Sequence, residues 1–392
     1  MLKEKQDIGI YVHIPFCKSK CYYCDFISFP NIESKEDIYV EALLKEIKKY
    51  GKENKLLSEN GIEKRYNVRT IYIGGGTPSY IKASNIERII NTIKENFIIE
   101  DEAEISIEVN PGTVDFEKLK TYFICGINRI SIGLQTANNK LLKTIGRIHT
   151  YEDFLETYKL ATSVGFDNIN VDLMIGLPKQ TIKEVKEEIE EIVKLNPTHI
   201  SIYSLILEEN TKLYSLITSN KIKSIDDEKE RKMYWYAKEY LEKQGYMHYE
   251  ISNFAKPNYK CQHNIDCWNQ KEYMGFGLAA ASFMNNVRYR NEENLIKYLR
   301  NIANGDYSKN LIFDERLTKL AKMKEYMILG LRKTEGVNIL KFMELFGISP
   351  FFKFMREFDK LVNEGLLTID DHNIKLTNKG LDYANIVWEE FL

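Results

Sequence analysis

Cysteine is scarce in this chain. Six in 392 residues are too few for the disulfide framework of a secreted domain. Proline is also rare, at eight, and there is no low-complexity tract, which excludes a collagen-like or disordered chain. Neither sign of charge dominates: 57 acidic residues against 55 basic ones leave no global basic field to gather nucleic acid or anionic lipid. No apolar run reaches the roughly 18 residues that a membrane span needs. Residues Met1 to Asp7 are charged and run straight into a strand-like stretch, without the apolar segment of a secretory signal. The expected location is cytoplasmic. What remains is an ordered composition, 44% hydrophobic and 29% charged, with length enough for one large domain and a smaller one.

The first half alternates short β-branched runs with stretches of helical periodicity, the pattern of βα units around a parallel sheet. Six strands are expected, at Ile8–Ile14, Val68–Ile73, Glu104–Val109, Ile127–Leu134, Asn168–Met174 and Thr198–Leu205. Their near-continuous apolar character suits a sheet buried on both faces. The chemistry follows the strands: a cysteine loop after the first, Gly74-Gly75-Gly76-Thr77-Pro78 after the second, Glu108 and Asn110 at the third, Gln135 at the fourth, Asp172 in the fifth and Tyr203 in the sixth. In a parallel barrel these carboxyl ends converge on one mouth, so one shared site is expected. The fold class is therefore α/β, a partial (β/α)6 barrel over residues 1–225. An α+β extension follows over 226–310, with a helix, a strand-like Tyr246–Phe254 and an irregular segment carrying Cys261, His263, Cys267 and Trp268. Residues 311–392 read as helices plus a hairpin, a winged-helix-like module.

Cys17, Cys21 and Cys24 place three thiols at spacings of four and three, flanked by Lys18 and Lys20, which favour thiolates. A structural zinc site would add a fourth Cys or His, and a cluster held only by protein would add a fourth cysteine; position 25 is Asp. Three ligands leave one position open. Glycines after a strand let backbone approach a ligand where any Cβ would clash, although a turn is the commoner reason for such a cluster. Glu108, Gln135 and Asp172 are polar groups in otherwise apolar strands, and buried polar groups need partners. Arg147 is a weaker candidate, since a lone arginine is usually a solvated helix residue.

The spacing CxxxCxYC resembles the signature of the radical S-adenosylmethionine superfamily. That resemblance implies a [4Fe-4S] cluster on Cys17, Cys21 and Cys24, whose open iron chelates the amino and carboxylate groups of S-adenosylmethionine. It implies too that the Gly75-Gly76-Thr77 run contacts the methionine amino group, that Glu108, Gln135, Arg147 and Asp172 position the nucleoside, and that Tyr11 and Tyr23 line the cluster loop. More narrowly, Tyr-Val-His-Ile-Pro-Phe-Cys, Ile-Gly-Gly-Gly-Thr-Pro-Ser, Asp-Leu-Met-Ile-Gly-Leu-Pro and Tyr-Glu-Ile-Ser-Asn-Phe-Ala-Lys-Pro resemble the coproporphyrinogen dehydrogenase-like subgroup along nearly the full length. The oxidising enzymes of that subgroup carry a further cysteine two positions after the third and a long N-terminal arm. Here position 26 is Phe, and Cys17 lies too near the N-terminus for such an arm. The chain fits the subgroup's heme chaperones instead.

The segment His263-Asn-Ile-Asp-Cys267-Trp268 is similar to the chaperones' HNxxYW element, which implies heme held by His263, with Cys267 in the tyrosine's place as a buried thiol or a second thiolate ligand. Cys125 is expected in the core, and Cys261 is undecided. Heme, a heme-accepting protein and an electron donor are the implied partners; a nucleic acid is not, and contact with a membrane surface stays open. The competing account is a catalyst that cleaves S-adenosylmethionine and acts on a porphyrin or another substrate. A nucleic-acid role for the C-terminal module is disfavoured because acidic and basic residues balance there without a basic stripe.

Overall fold

The computed structural model describes residues 6–56 and 66–392. Six strands form where they are expected: β1 (Gln6–Ile14), β2 (Tyr66–Gly75), β3 (Ile98–Val109), β4 (Arg129–Gln135), β5 (Asn168–Ile175) and β6 (His199–Ser204). Each pairs in parallel with the next. β1 and β6 are not neighbours, so the barrel is partial. Several connecting helices begin on side-chain caps. Thr150 with Asp153 and Thr181 with Glu184 form capping boxes that satisfy backbone donors at the starts of Tyr151–Val164 and Ile182–Lys194.

The remaining strands extend the same sheet from both sides. β7 (Met247–Glu250) and β8 (Asn253–Ala255) form an antiparallel hairpin against β6. β9 (Tyr273–Phe276) runs parallel to β1, followed by antiparallel β10 (Ala281–Met284), β11 (Val287–Asn291) and β12 (Leu311–Arg316), giving twelve strands in all. Leu311–Arg316, expected with the C-terminal module, is thus an edge strand of the main sheet.

The expectation of strands apolar on both faces needs correction. Side chains of one parity, such as Ile105, Ile107, Ile130, Ile132, Val171 and Ile202, are buried in the large core under the helices. Burying each stabilises the fold by about 1.5–3 kcal/mol. The other parity is polar: Glu104, Ser106 and Glu108 on β3, Arg129 and Ser131 on β4, Asn170 and Asp172 on β5, His199 and Ser201 on β6. The interior of the barrel is therefore lined by hydrogen-bonding groups. His199 shows the pattern, with Nδ1 2.5 Å from Asn170 Oδ1 and Nε2 2.7 Å from the Tyr249 hydroxyl.

The segment expected to be irregular contains a two-turn helix, Gln262–Trp268. No neighbouring side chain caps it. Instead the carboxylate of Glu104, 158 residues upstream, accepts from the amides of Gln262 (2.9 Å) and His263 (3.1 Å).

The C-terminal module packs helices Lys319–Gly330, Ile339–Phe346 and Pro350–Asn363 on a three-stranded sheet of Val337–Asn338, Asn373–Leu376 and Leu367–Ile369. Its core is its own, built on Met327, Phe342, Phe358 and Phe391. Against the barrel, Asp382 accepts from Arg231 Nε (2.7 Å) and Trp235 Nε1 (2.9 Å). The free edge of β7 is covered by the segment after the first of these helices: Glu250 bridges Lys333, Ile251 N donates to Arg332 O (3.0 Å) and Thr334 N to Tyr249 O (3.1 Å). Among the described residues no helix is long and apolar enough to cross a membrane.

Candidate functional site

The carboxyl ends of the six parallel strands surround a cavity of about 540 Å³, lined by Cys17, Cys21, Cys24, Gly75, Gly76, Thr77, Glu108, Gln135, Arg147 and Asp172 together. Cys17 ends a two-residue bridge, Phe16–Cys17 with Phe29–Pro30, that fixes the start of the cysteine loop. The loop is tied to its surroundings by Tyr22, whose amide donates to Ile145 O (2.9 Å) and whose carbonyl accepts from Leu213 N (2.7 Å).

The flanking lysines do not set the thiols. Burial pushes Cys24 up to about 11 and raises Cys17, and Lys20 counters this only weakly. The Lys20 ammonium donates instead to Phe26 O at 2.8 Å. A bound metal therefore has to supply the positive charge that ionises these thiols. Among the described residues no three Cys, His or acidic side chains converge on one point as a single ion requires. A cubane cluster takes each thiolate on a separate iron, so three dispersed thiols fit a cluster better than zinc.

Gly75 and Gly76 are glycine for physical reasons. Gly75 has φ +113°, and a Cβ there would lie 2.6 Å from the His13 ring. A Cβ on Gly76 would meet Phe16 O at 2.8 Å, Ile14 O at 2.9 Å and Cys17 Sγ at 3.1 Å. The chain passes so close because Gly76 N donates to Ile14 O and Thr77 N to Phe16 O, both at 2.8 Å. Thr77 Oγ1 then donates to Cys17 Sγ (3.5 Å) and accepts from Asn110 Nδ2 (2.9 Å).

Two carboxyls face each other across the cavity. Glu108 accepts from the Tyr72 hydroxyl (3.0 Å) and Gly75 N (3.1 Å), yet burial, with Asp172 adding, pushes it up to about 7. Asp172 accepts from Ser131 Oγ (3.0 Å) and Asn170 Nδ2 (2.8 Å) and is raised by burial. Polar hydrogens of a ligand, an ammonium or ribose hydroxyls, relieve such a pair. Gln135 sits at φ +72° where β4 bulges against β5, which turns it into the cavity. Arg147 is no solvated helix residue. Its guanidinium reaches Cys21 Sγ (3.5 Å), Asn110 Oδ1 (3.1 Å) and Gly133 O, and Nε is buried without a partner. The cavity, its thiols and this unused donor suit a cluster with a polar nucleoside beside it.

Two expected site residues lie elsewhere. Tyr23 lines the cavity, but Tyr11 does not; its hydroxyl is 3.0 Å from His13 Nδ1 and its ring stacks on Tyr72. His263 sits on the far side of Tyr72, stacked at 5.3 Å, with Nδ1 2.9 Å from Thr70 Oγ1. Burial, with Arg129 adding, pushes it down to about 4, so the imidazole is neutral. The ring is thus buried against Tyr72, outside the cavity that the three thiols line. Cys267 is held up at about 12 by burial, as a buried thiol is. Cys125 donates to Tyr122 O within the core, and Cys261 is buried against Glu104. Tyr72 and Ser131, which also line the cavity, escaped the sequence reading. Their signal was the placement of polar residues three and four positions before the strand ends, on the inward-facing parity.

A parallel partial barrel with a three-thiol loop at its mouth is the architecture of a class of cluster-binding proteins. The family model described as the radical SAM superfamily matches residues 11–192, and the HemN C-terminal domain matches 317–383. The chain is 37% identical over 382 residues to a protein of Lactococcus lactis named heme chaperone HemW, covering 97% of this chain and 96% of that one. It is 31% identical to the Escherichia coli protein of the same name over 389 residues, 98% of each. Among solved structures, the radical SAM enzyme coproporphyrinogen III oxidase (HemN) of E. coli superposes with a TM-score of 0.82 over 99% of this chain and 90% of that one, at 24% identity, a likeness of fold. The chain belongs to the radical SAM superfamily and, within it, to the family of the heme chaperone HemW.

Proposed function

We propose that this chain is a cytoplasmic heme chaperone that carries a [4Fe-4S] cluster on Cys17, Cys21 and Cys24, binds S-adenosylmethionine in the same cavity, and passes heme to an acceptor protein. One observation carries the reading: identity of 31–37% to proteins named heme chaperone HemW along essentially the whole length. Phe26 supports it, standing exposed where the porphyrinogen-oxidising enzymes are expected to have a further cysteine. In this reading Gly75, Gly76 and Thr77 take the methionine end of the nucleotide, and Glu108, Gln135, Arg147 and Asp172 its remainder. Reduced by an electron donor, a bound cluster supplies an electron to the sulfonium. The residues of the chain orient the nucleotide and keep water from it.

His263 enters the proposal as a heme ligand only if helix Gln262–Trp268 leaves the barrel interior. The test is a titration of the anaerobically reconstituted protein with heme, following the Soret band, with His263→Ala beside the wild type. Saturable one-to-one binding without porphyrinogen turnover is expected, together with a shifted Soret maximum in the variant. An unchanged spectrum in the variant removes His263 as ligand; absence of heme binding by the wild type overturns the chaperone reading.

A further inference from the structure

The junction between barrel and C-terminal module holds two arginines in different circumstances. Arg231 is spent: it pairs with Asp382 and lies 4.5 Å over the Tyr234 ring. Arg332 is not. Its guanidinium carbon lies between two indoles, 4.4 Å from the centroid of Trp268 and 5.0 Å from that of Trp388. No carbonyl or carboxylate among the described residues accepts a hydrogen bond from that guanidinium, and its Nε is buried without a partner. Both indole Nε1 donors are likewise buried and unpartnered.

Three unused N–H donors around one cation are costly unless something accepts from them, because a buried donor without a partner has given up its hydrogen bond to water. The nearby acid does not meet the need. Glu250 spends one carboxyl oxygen on Ser252 N and Asn253 Nδ2, its Oε2 has no partner, and it makes no ion pair with Arg332 within 4 Å. Burial raises Glu250, and the charge of Arg332 opposes that shift across a gap too long for an ion pair. The phenol of Tyr203 feels both Arg332 and Asp172, and Tyr203 also lines the cavity.

We infer that Arg332, held between Trp268 and Trp388, is a carboxylate-binding site that takes a propionate of the porphyrin. The inference rests on the chaperone reading and adds to it a residue that anchors the ligand's edge. A guanidinium presents paired donors that match a carboxylate, and the two indoles flank its planar group. Ile206 and Phe26, 69% and 60% exposed on the cavity rim, offer apolar surface for the macrocycle.

The experiment uses full-length, cluster-reconstituted protein and two iron-free probes, protoporphyrin IX and its dimethyl ester, read by porphyrin fluorescence; neither requires an iron ligand. The wild type is expected to bind the free acid at least about tenfold more tightly than the ester, the value of one charge-assisted bidentate contact. Arg332→Gln is expected to bind both alike, and Arg332→Lys, which keeps the charge but not the fork, to show an intermediate preference; the lysine variant decides the matter if the glutamine variant does not fold. A variant that keeps the wild-type preference overturns the inference, as does a wild type that binds acid and ester equally, and both leave the chaperone reading intact. Failure of the wild type to bind heme or either probe overturns the reading and this inference with it.

Discussion

At the scale of single residues, the cavity is made by groups whose substitution has separable effects. Cys17→Ala, Cys21→Ala and Cys24→Ala are each expected to lose most of the reconstituted iron, sulfide and visible absorbance; full metal content in any one removes that residue as a ligand. Glu108→Gln keeps the shape but removes the charge. It is expected to weaken S-adenosylmethionine by about tenfold in equilibrium binding while cluster content stays as in the wild type, the loss appropriate to one charge-assisted hydrogen bond. Equal affinity in wild type and variant sets Glu108 outside the nucleotide site. The thiol loop, the glycine run and the strand-end carboxyls were legible in the sequence because each breaks a local pattern. The reach of Arg147 to Cys21 across 126 residues was not, since nothing local distinguishes that arginine from a solvated one.

Elements show where local reading stops. The six βα units announce themselves, since alternation of apolar runs with capped helical stretches is a short-range signal. Helix Gln262–Trp268 does not, because its cap comes from Glu104, 158 residues upstream on a strand of the sheet. Glu104→Ala removes an acceptor from two amides and the favourable charge at a helix N-terminus, and is expected to cost about 1–2 kcal/mol. Chemical denaturation measures this directly, and a loss below a few tenths of a kcal/mol leaves the helix to be explained by packing alone. The tyrosines and serines of the barrel interior were hidden for a related reason. Their alternation is offset by isoleucines that dominate the average hydropathy of each strand.

For the whole molecule, buried titratable groups set the pH profile. Glu46, buried among Gly277 N, Tyr298 and Asn291, and Glu188, buried beside Thr136, are both pushed up to about 7 by burial. A carboxyl raised in the folded state contributes stability fully below its unfolded value and loses it as pH climbs from about 4.5 through 7. His149, His248 and His263 are pushed down to about 4 by burial, so their penalty grows as pH falls from 6.5 toward 4. The apo chain is therefore expected to melt highest near pH 6, with Glu46 alone worth on the order of 2 kcal/mol between pH 5 and 8. A melting temperature that rises steadily from pH 6 to 8 contradicts this balance. The module's attachment has its own test: Asp382→Ala, which unpairs Arg231 and Trp235, is expected to speed proteolysis near residues 305–318 at little cost to the unfolding of the barrel.

The strand pairing at that junction carries a consequence for solubility. β7 ends the sheet, and its outward amides and carbonyls are answered by the stretch from Arg332 to Thr334. Without that cover the barrel exposes a ready template on which a second molecule's strand can hydrogen-bond, the usual start of ordered self-association. The C-terminal module thus guards against oligomer growth. A chain shortened after Arg316 is expected to form soluble aggregates in light scattering at concentrations where the complete chain stays monodisperse.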